Sequence, residues 1–233
     1  MTRLTSILLL LVALVTAVSC GPKVKEEKLA PELAQEARVQ FEKERYAEAI
    51  AIYTKLRDWY PFDKLAVEAE LNIAEAHFKM EEYDEAAIAY EEFEKLHPRH
   101  EKIAYVLNQQ ALCFFNRLDT PDRDQTNALK AVALFNRLIR QYPESEYTPE
   151  AEKNIQTCLK SLAAHEMVVG RYYLKSKKYE SALGRFETVI SSYDNSGFEE
   201  EAMALAESAR QKMAEEEKPK SEEKSFFQRL WPW

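Results

Sequence analysis

The chain has 233 residues, and only 4 of them are glycine, well below the average usage of about 7%. This scarcity argues against Rossmann, P-loop and all-β folds, because those folds need glycine in turns and phosphate-binding loops. With 32 basic and 40 acidic residues the formal net charge is −8, and the absence of a basic stripe in the sequence argues against nucleic acid as a partner.

The N-terminal sequence predicts an export signal. A basic start at Arg3 precedes an almost wholly apolar run over 7–18, which is too short to span a bilayer comfortably. The following Ala17-Val18-Ser19-Cys20-Gly21 resembles a bacterial lipobox, although Ala17 stands where leucine is more usual. We therefore predict a lipoprotein signal peptide over 1–19 with lipid attached to Cys20. The alternative is a plain secretory signal with an incidental cysteine.

The predicted lipid would hold the mature chain at a membrane. Gly21 follows the cysteine, and the absence of a charged residue there favours the outer membrane over retention in the inner membrane. The anchor would then be a lipid on the periplasmic face and not a spanning helix. Residues 20–30 are rich in charge and predict a flexible tether.

A repeated spacing runs through the body of the chain. Tyr46 and Tyr83 begin two similar segments 37 residues apart, and the segments end at Pro61 and Pro98, again 37 residues apart. In each segment an alanine follows the tyrosine, an aromatic residue comes one turn later, and the proline closes the unit. Third and fourth copies are centred on residues 128–143 and 179–194.

This spacing resembles the tetratricopeptide repeat, a helix-turn-helix unit of about 34 residues. Alanine lets two helices approach closely, the aromatic residue fills the space between them, and proline ends the second helix. The predicted fold is all-α, a tetratricopeptide-like helical-hairpin solenoid of four to five repeats over 31–217, with a C-terminal cap helix and tail. The helices are expected at 31–43, 46–59, 64–80, 83–96, 101–117, 126–141, 148–176, 179–192 and 198–217.

The sequence offers no catalytic constellation. His97 and His100 flank a short loop, but two imidazoles are too few for a zinc site. No Ser-His-Asp order, glycine-rich loop or metal-spaced cysteine pair is present. Cys113 and Cys158 fall inside apolar helical pattern, which favours buried free thiols over the disulfide that an exported chain permits. We therefore predict a protein that is not an enzyme and has no cofactor beyond the covalent lipid on Cys20.

Several segments, taken in order, carry a resemblance to one family. They are Tyr60-Pro61-Phe62, Leu96-His97-Pro98, Ile103-Ala104-Tyr105-Val106, Asp122-Arg123-Asp124, Leu138-Ile139-Arg140-Gln141-Tyr142-Pro143 and Tyr172-Tyr173. Together with the lipobox and the repeats, they resemble the BamD (YfiO) family of outer-membrane β-barrel assembly lipoproteins. The resemblance covers roughly residues 16–210.

The resemblance implies a non-catalytic scaffold subunit of the β-barrel assembly (BAM) complex, lipid-anchored in the outer membrane and facing the periplasm. Members of the family dock on the POTRA domains of the barrel subunit BamA through their C-terminal half. Their N-terminal half is associated with unfolded outer-membrane proteins, and other assembly lipoproteins are further partners. The alternative is a different periplasmic tetratricopeptide lipoprotein, such as a secretin pilotin or a cell-wall-synthesis coordinator.

Two sets of residues are predicted to bind partners. Phe41, Phe78 and Phe115 recur every 37 residues near the ends of first helices. With Leu71 and Asn108 they are predicted to line a substrate-binding groove for an extended peptide. The alternative is that these rings simply pack between repeats.

The second set is a local basic patch in the fourth repeat. Arg171, Lys175 and Arg185 are predicted to contact the BamA-like partner, with Arg185 as the principal anchor. The alternative is ordinary solvated charge.

The C-terminal residues depart from the family, which usually has a further repeat helix there. Residues 218–233 are predicted to form a polar linker followed by an aromatic segment, Phe226–Trp233. That segment could fold back on the array or touch a partner, lie on the membrane surface, or occupy the groove of this or a neighbouring chain.

Overall fold

The chain folds into a row of antiparallel helical hairpins. The structure is a computed structural model that describes the backbone of residues 28–230 and the side chains of residues 28–216. Within this part of the chain every regular element is a helix, so the predicted all-α fold is confirmed. The helices are α1 (Ala30–Glu42), α2 (Tyr46–Trp59), α3 (Lys64–Lys79), α4 (Tyr83–Leu96), α5 (Ile103–Phe115), α6 (Thr126–Gln141), α7 (Thr148–Lys175), α8 (Tyr179–Ser192) and α9 (Glu199–Leu230).

The observed helices follow the predicted ones closely. The second helices α2, α4, α6 and α8 have the predicted bounds, because tyrosine or threonine opens each of them and the chain turns just after each ends. Helix α5 is two residues shorter than predicted at each end, since Glu101 and Lys102 form a turn. The predicted signal peptide (1–19) and Cys20 lie outside the described residues.

The last helix extends beyond its predicted end. We expected it to stop at 217, but α9 continues to Leu230 and contains Pro219. The segment around Pro219 is rich in glutamate and lysine, which have high helix propensity and favour continuation of the helix. The predicted linker over 218–224 is therefore helical, which corrects that boundary; the side chains of the aromatic segment lie outside the described ones.

Each helix packs mainly against its neighbours in chain order, as a solenoid of hairpins requires. The first helices of adjacent hairpins also touch, α1 against α3 and α5 against α7. Small residues let the two helices of a hairpin approach closely, since Ala49, Ala86, Ala131 and Ala182 are wholly buried at equivalent positions of the second helices. The buried side chains form three clusters, centred on α1–α3, on α3–α7 and on α7–α9.

Three hairpin turns share one backbone conformation. Glu44, Glu81 and Lys177 have φ of 58°, 60° and 60°, in the left-handed region. The N–H of the next residue then donates to a carbonyl five residues back, from Arg45 to Gln40, Glu82 to His77 and Lys178 to Tyr173. This ending is of the Schellman type, in which glycine is usual. With so few glycines, the chain places glutamate or lysine there instead.

The third hairpin has a longer connection, which is held against α7. The buried Gln125 side chain donates to the Thr120 carbonyl at 3.0 Å and accepts from Ser161 of α7 at 3.1 Å. His165 Nδ1 lies 2.7 Å from the Pro121 carbonyl oxygen and donates to it. The connection between α5 and α6 is therefore an ordered loop that packs on α7.

Cys113 and Cys158 are both buried as free thiols, as predicted. Burial raises the pKa of Cys113 to about 12 and that of Cys158 to about 11. Both thiols therefore remain protonated near neutral pH and act as small apolar side chains.

Candidate binding surfaces

A groove of about 930 Å³ opens where α3 and α5 meet the loop before α7. Leu71 and Glu75 of α3 form one wall, Tyr105 lies near the start of α5, and Tyr142 and Tyr147 come from the loop. The rings of Tyr105 and Tyr147 are 5.8 Å apart between centroids. The stacking of the second and third hairpins, together with the loop that leads into α7, therefore builds an aromatic-walled groove from residues that are distant in sequence.

Two neighbouring tyrosines beside the groove have raised pKa values. Tyr90 of α4 is wholly buried and does not line the groove, and its hydroxyl lies near the side chains of Tyr105 and Gln109. Burial above all, and then the nearby Tyr105 and Glu75, raises the pKa of Tyr90. Burial and Glu75 raise the pKa of Tyr105 in the same way. Both phenols are therefore neutral hydrogen-bonding groups.

The rim of the groove is acidic. Glu75, Glu101, Glu144 and Glu146 line it together with one basic residue, Lys102. Glu75 is half-buried, and the other three glutamates are exposed. Within side chains 28–216 none of the four glutamates forms an ion pair. The groove therefore presents uncompensated negative charge beside aromatic walls.

The predicted ladder of phenylalanines does not line this groove. Phe41 packs edge-on against Tyr46, with ring centroids 5.1 Å apart, and Phe78 packs against Tyr83 at 5.4 Å. Phe115 lies 6.2 Å from Phe135. Each ring contacts the second helix of its own hairpin and remains partly exposed, and none of the three lines the groove beside Leu71.

Of the other two predicted groove residues, one lines the groove and the other does not. Leu71 lines the groove, although its side chain is largely buried at 5% exposure. Asn108 is buried at 7% exposure on α5 and does not line the groove. The tyrosine and glutamate lining went unpredicted because its residues come from α3, from the start of α5 and from the loop before α7, and only the stacking of the hairpins brings them together.

The predicted basic patch in the fourth repeat is largely paired with acids. Arg185 Nη1 donates to both carboxylate oxygens of Glu166, at 3.2 and 3.0 Å. Arg171 Nη2 donates to Glu201 of α9 at 2.6 Å. Lys175 is exposed at the end of α7 and forms no ion pair among the described side chains. The three residues thus differ, and Lys175 offers the freest charge.

Exposed apolar side chains lie beside this patch. Val168 and Tyr172, one turn apart on α7, are 37% and 65% exposed, and Met203 of α9 is 50% exposed. Arg171 is paired across the same two helices. An apolar face rimmed by charge is typical of a surface that contacts another protein.

A second exposed aromatic lies at the other end of the array. Phe62, in the turn between α2 and α3, is fully exposed, and Trp59 just before it is 51% exposed. Tyr60, between these two residues, helps to hold the turn, because its hydroxyl donates to the Lys28 carbonyl at 3.0 Å.

Residues 28–216 contain no cluster of His, Cys, Asp or Glu side chains suited to a metal ion. None of the described helices is both long and apolar enough to cross a bilayer.

Comparison with known proteins gives a consistent result. The YfiO family profile, described as "Outer membrane lipoprotein", matches residues 26–225. The outer membrane protein assembly factor BamD of Neisseria meningitidis is 30% identical over 201 residues, covering 82% of this chain and 75% of the relative. The BamD proteins of Rickettsia prowazekii and Vibrio cholerae are 29% and 26% identical, covering 86% and 79% of this chain and 82% and 81% of the relatives. These names describe assembly factors and agree with the prediction of a protein that is not an enzyme.

Proposed function

The chain belongs to the YfiO family of outer membrane lipoproteins, and on this basis we propose that it is a scaffold subunit of a β-barrel assembly complex. The observation that carries the proposal is the family match over residues 26–225, which includes every hairpin of the array. The relatives named as assembly factors are similar along most of both chains, which supports carrying the role over as a whole.

The proposed anchor is lipid attached to Cys20, with the array facing the periplasm. The apolar run over 7–18 and the small residues before Cys20 support it. Metabolic labelling with palmitate tests this directly. Label should enter the wild-type chain and be lost in Cys20→Ser, while a labelled Cys20→Ser chain would overturn the proposed lipid site.

The proposed docking surface for the BamA-like barrel protein is the fourth hairpin with α9. Lys175 and Arg171 supply charge, and Val168 and Tyr172 supply exposed apolar area beside them. Arg185 keeps a part in this surface, since its side chain is 41% exposed even while it is paired with Glu166. Partly exposed arginine and aromatic residues are frequent anchors of protein interfaces.

The proposed substrate surface is the groove beside Leu71, and it would hold unfolded outer-membrane proteins as extended segments. Its aromatic walls, formed by Tyr105 and Tyr147, suit the alternating side chains of a β-strand peptide. The phenylalanine ladder is not part of this proposal, because those rings pack inside their hairpins.

A depletion experiment tests the proposed function. Loss of the protein should lower the amounts of many different barrel proteins in the outer membrane together. The control is complementation with the wild-type gene, which should restore all of them. A loss confined to one secretin would instead identify a pilotin and contradict the assembly role.

A further inference from the structure

The negative charge at the rim of the groove limits which ligands the groove can bind. Four glutamates surround a single lysine, so the groove carries excess negative charge. Helix dipoles explain part of this arrangement, since Glu101 precedes α5 and Glu144 and Glu146 precede α7. They do not explain Glu75, which lies in the last third of α3, is half-buried, and has no ion-pair partner among the described side chains.

The aromatic walls beside this charge are a second feature of the groove. Tyr105 and Tyr147 have ring centroids 5.8 Å apart and line the groove together with Leu71. Burial and the nearby Glu75 raise the pKa of Tyr105, so this half-buried phenol is neutral beside the glutamates. Aromatic surface and carboxylates therefore lie side by side in the groove.

We propose that the groove selects extended peptide segments in which a lysine or arginine lies next to an aromatic or aliphatic residue. The cation is bound among Glu75 and the rim glutamates. The neighbouring apolar side chain packs on the exposed surfaces of the Tyr105 and Tyr147 rings, beside Leu71. This inference depends on the proposed function, because it assigns a substrate chemistry to the proposed peptide groove.

Several physical features support a basic peptide over other ligands. The excess of glutamates repels an acidic segment and attracts a cation. Tyrosine faces contribute further to binding a nearby ammonium or guanidinium group. The groove is formed by residues from α3, from the start of α5 and from the loop before α7, which suits an extended chain better than a compact small molecule.

The test measures peptide binding to the mature chain from residue 20, with Cys20→Ser to avoid lipid. The probe is a fluorescein-labelled Val-Thr-Tyr-Lys-Phe-Thr-Val peptide, and the matched probe has glutamate in place of lysine. By fluorescence anisotropy at low salt, the lysine peptide should bind about tenfold more tightly. The preference should shrink at high salt, because rim charges are exposed.

A pair of charge-matched variants isolates the groove. The groove variant combines Glu75→Gln, Glu101→Gln, Glu144→Gln and Glu146→Gln. The control variant combines Glu48→Gln, Glu92→Gln, Glu180→Gln and Glu215→Gln, all exposed and outside the groove. The groove variant should lose the preference for lysine, and the control should keep it. Both variants should retain the helical circular dichroism of the wild type.

The outcomes separate this inference from the proposed function. Equal binding of both peptides by the wild type, or no binding of either, overturns the inference, as does a groove variant that keeps the preference. Co-purification of a POTRA-bearing barrel protein with the full lipidated groove variant would show that the assembly role is intact even then. Failure of the wild type to co-purify that protein would instead count against the proposed function itself.

Discussion

Arg185 of α8 donates two hydrogen bonds to the Glu166 carboxylate of α7, at 3.2 and 3.0 Å. Glu166 is 13% exposed, whereas Arg185 is 41% exposed, so the acid is the more buried partner. The Glu166 hydrogen bond is the main reason that the pKa of Arg185 is raised. The same arginine therefore joins the first and second helices of its hairpin and presents part of its side chain to a partner.

This relationship predicts that Arg185→Ala has two separable effects. Leaving Glu166 without its partner should lower the free energy of unfolding by about 1–2 kcal/mol, measured by urea denaturation. Loss of the interface arginine should also weaken binding to the BamA-like partner by about tenfold or more.

The control for this prediction is Glu166→Gln, which keeps Arg185 and removes only the acid. It should be less stable than the wild type and should still bind the partner. If Arg185→Ala binds as tightly as the wild type, the docking role of this residue is wrong and only its structural role remains.

The close approach of Gly170 to Phe186 predicts that alanine substitutions at two glycines have opposite effects on stability. A Cβ at Gly170 would lie 2.5 Å from a ring carbon of the wholly buried Phe186, whereas a Cβ at Gly184 would meet nothing within 4 Å. Gly170→Ala should therefore lower the free energy of unfolding by about 1–3 kcal/mol through overpacking. Gly184→Ala should raise it by about 0.5–1 kcal/mol through helix propensity. Equal effects of the two substitutions would contradict the packing.

The left-handed turns predict a stabilising substitution. Glu81 has a φ of 60°, which is strained for a residue with a side chain, and Glu81→Gly relieves that strain. The free energy gained in the folded state should exceed the cost that glycine adds by raising the entropy of the unfolded chain. The free energy of unfolding should rise by about 0.5 kcal/mol. The matched control is Glu85→Gly in the first turn of α4, which should lower it by about 0.5–1 kcal/mol. A Glu81→Gly chain less stable than the wild type would contradict this.

The buried thiols predict a loss of stability at high pH. The folded-state pKa values of Cys113 and Cys158 are raised to about 12 and about 11, whereas an unfolded thiol titrates near its ordinary value of about 8.5. The folded state holds these protons more tightly than the unfolded state. The thiols' contribution to the free energy of unfolding is therefore complete below pH about 8.5 and falls as the pH rises toward the folded-state pKa values. Urea denaturation at pH 8, 9.5 and 10.5 should show this fall in the free energy of unfolding, and the fall should be less steep in Cys113→Ala. The same dependence on pH in both proteins would contradict the prediction.

Much of the fold could be predicted from the sequence because local patterns determine it. The spacing from Tyr46 to Pro61, repeated at Tyr83 to Pro98, predicts both the helices and their pairing, and the observed bounds agree closely. The end of α9 was predicted less well, because a proline within a charged, helix-favouring segment gave a boundary that the backbone does not follow.

The candidate sites were predicted less completely, because they depend on the register between hairpins. Glu166 and Arg185 are 19 residues apart, and only the packing of α7 on α8 brings them together. Phe41, Phe78 and Phe115 recur in the sequence because each packs against the second helix of its own hairpin. The groove that the structure contains combines Glu75, Tyr105 and Tyr147, which no single repeat would display.

The central claim is that this chain is a subunit of a β-barrel assembly complex, and co-purification tests it most directly. The lipidated protein, tagged at its C-terminus, would be isolated from detergent-solubilised outer membranes and its companions identified by mass spectrometry. A barrel protein bearing POTRA domains should co-purify with the wild type and should be reduced with Arg185→Glu. Its absence from the wild-type preparation, with the tagged protein present in the outer membrane fraction, would contradict the claim.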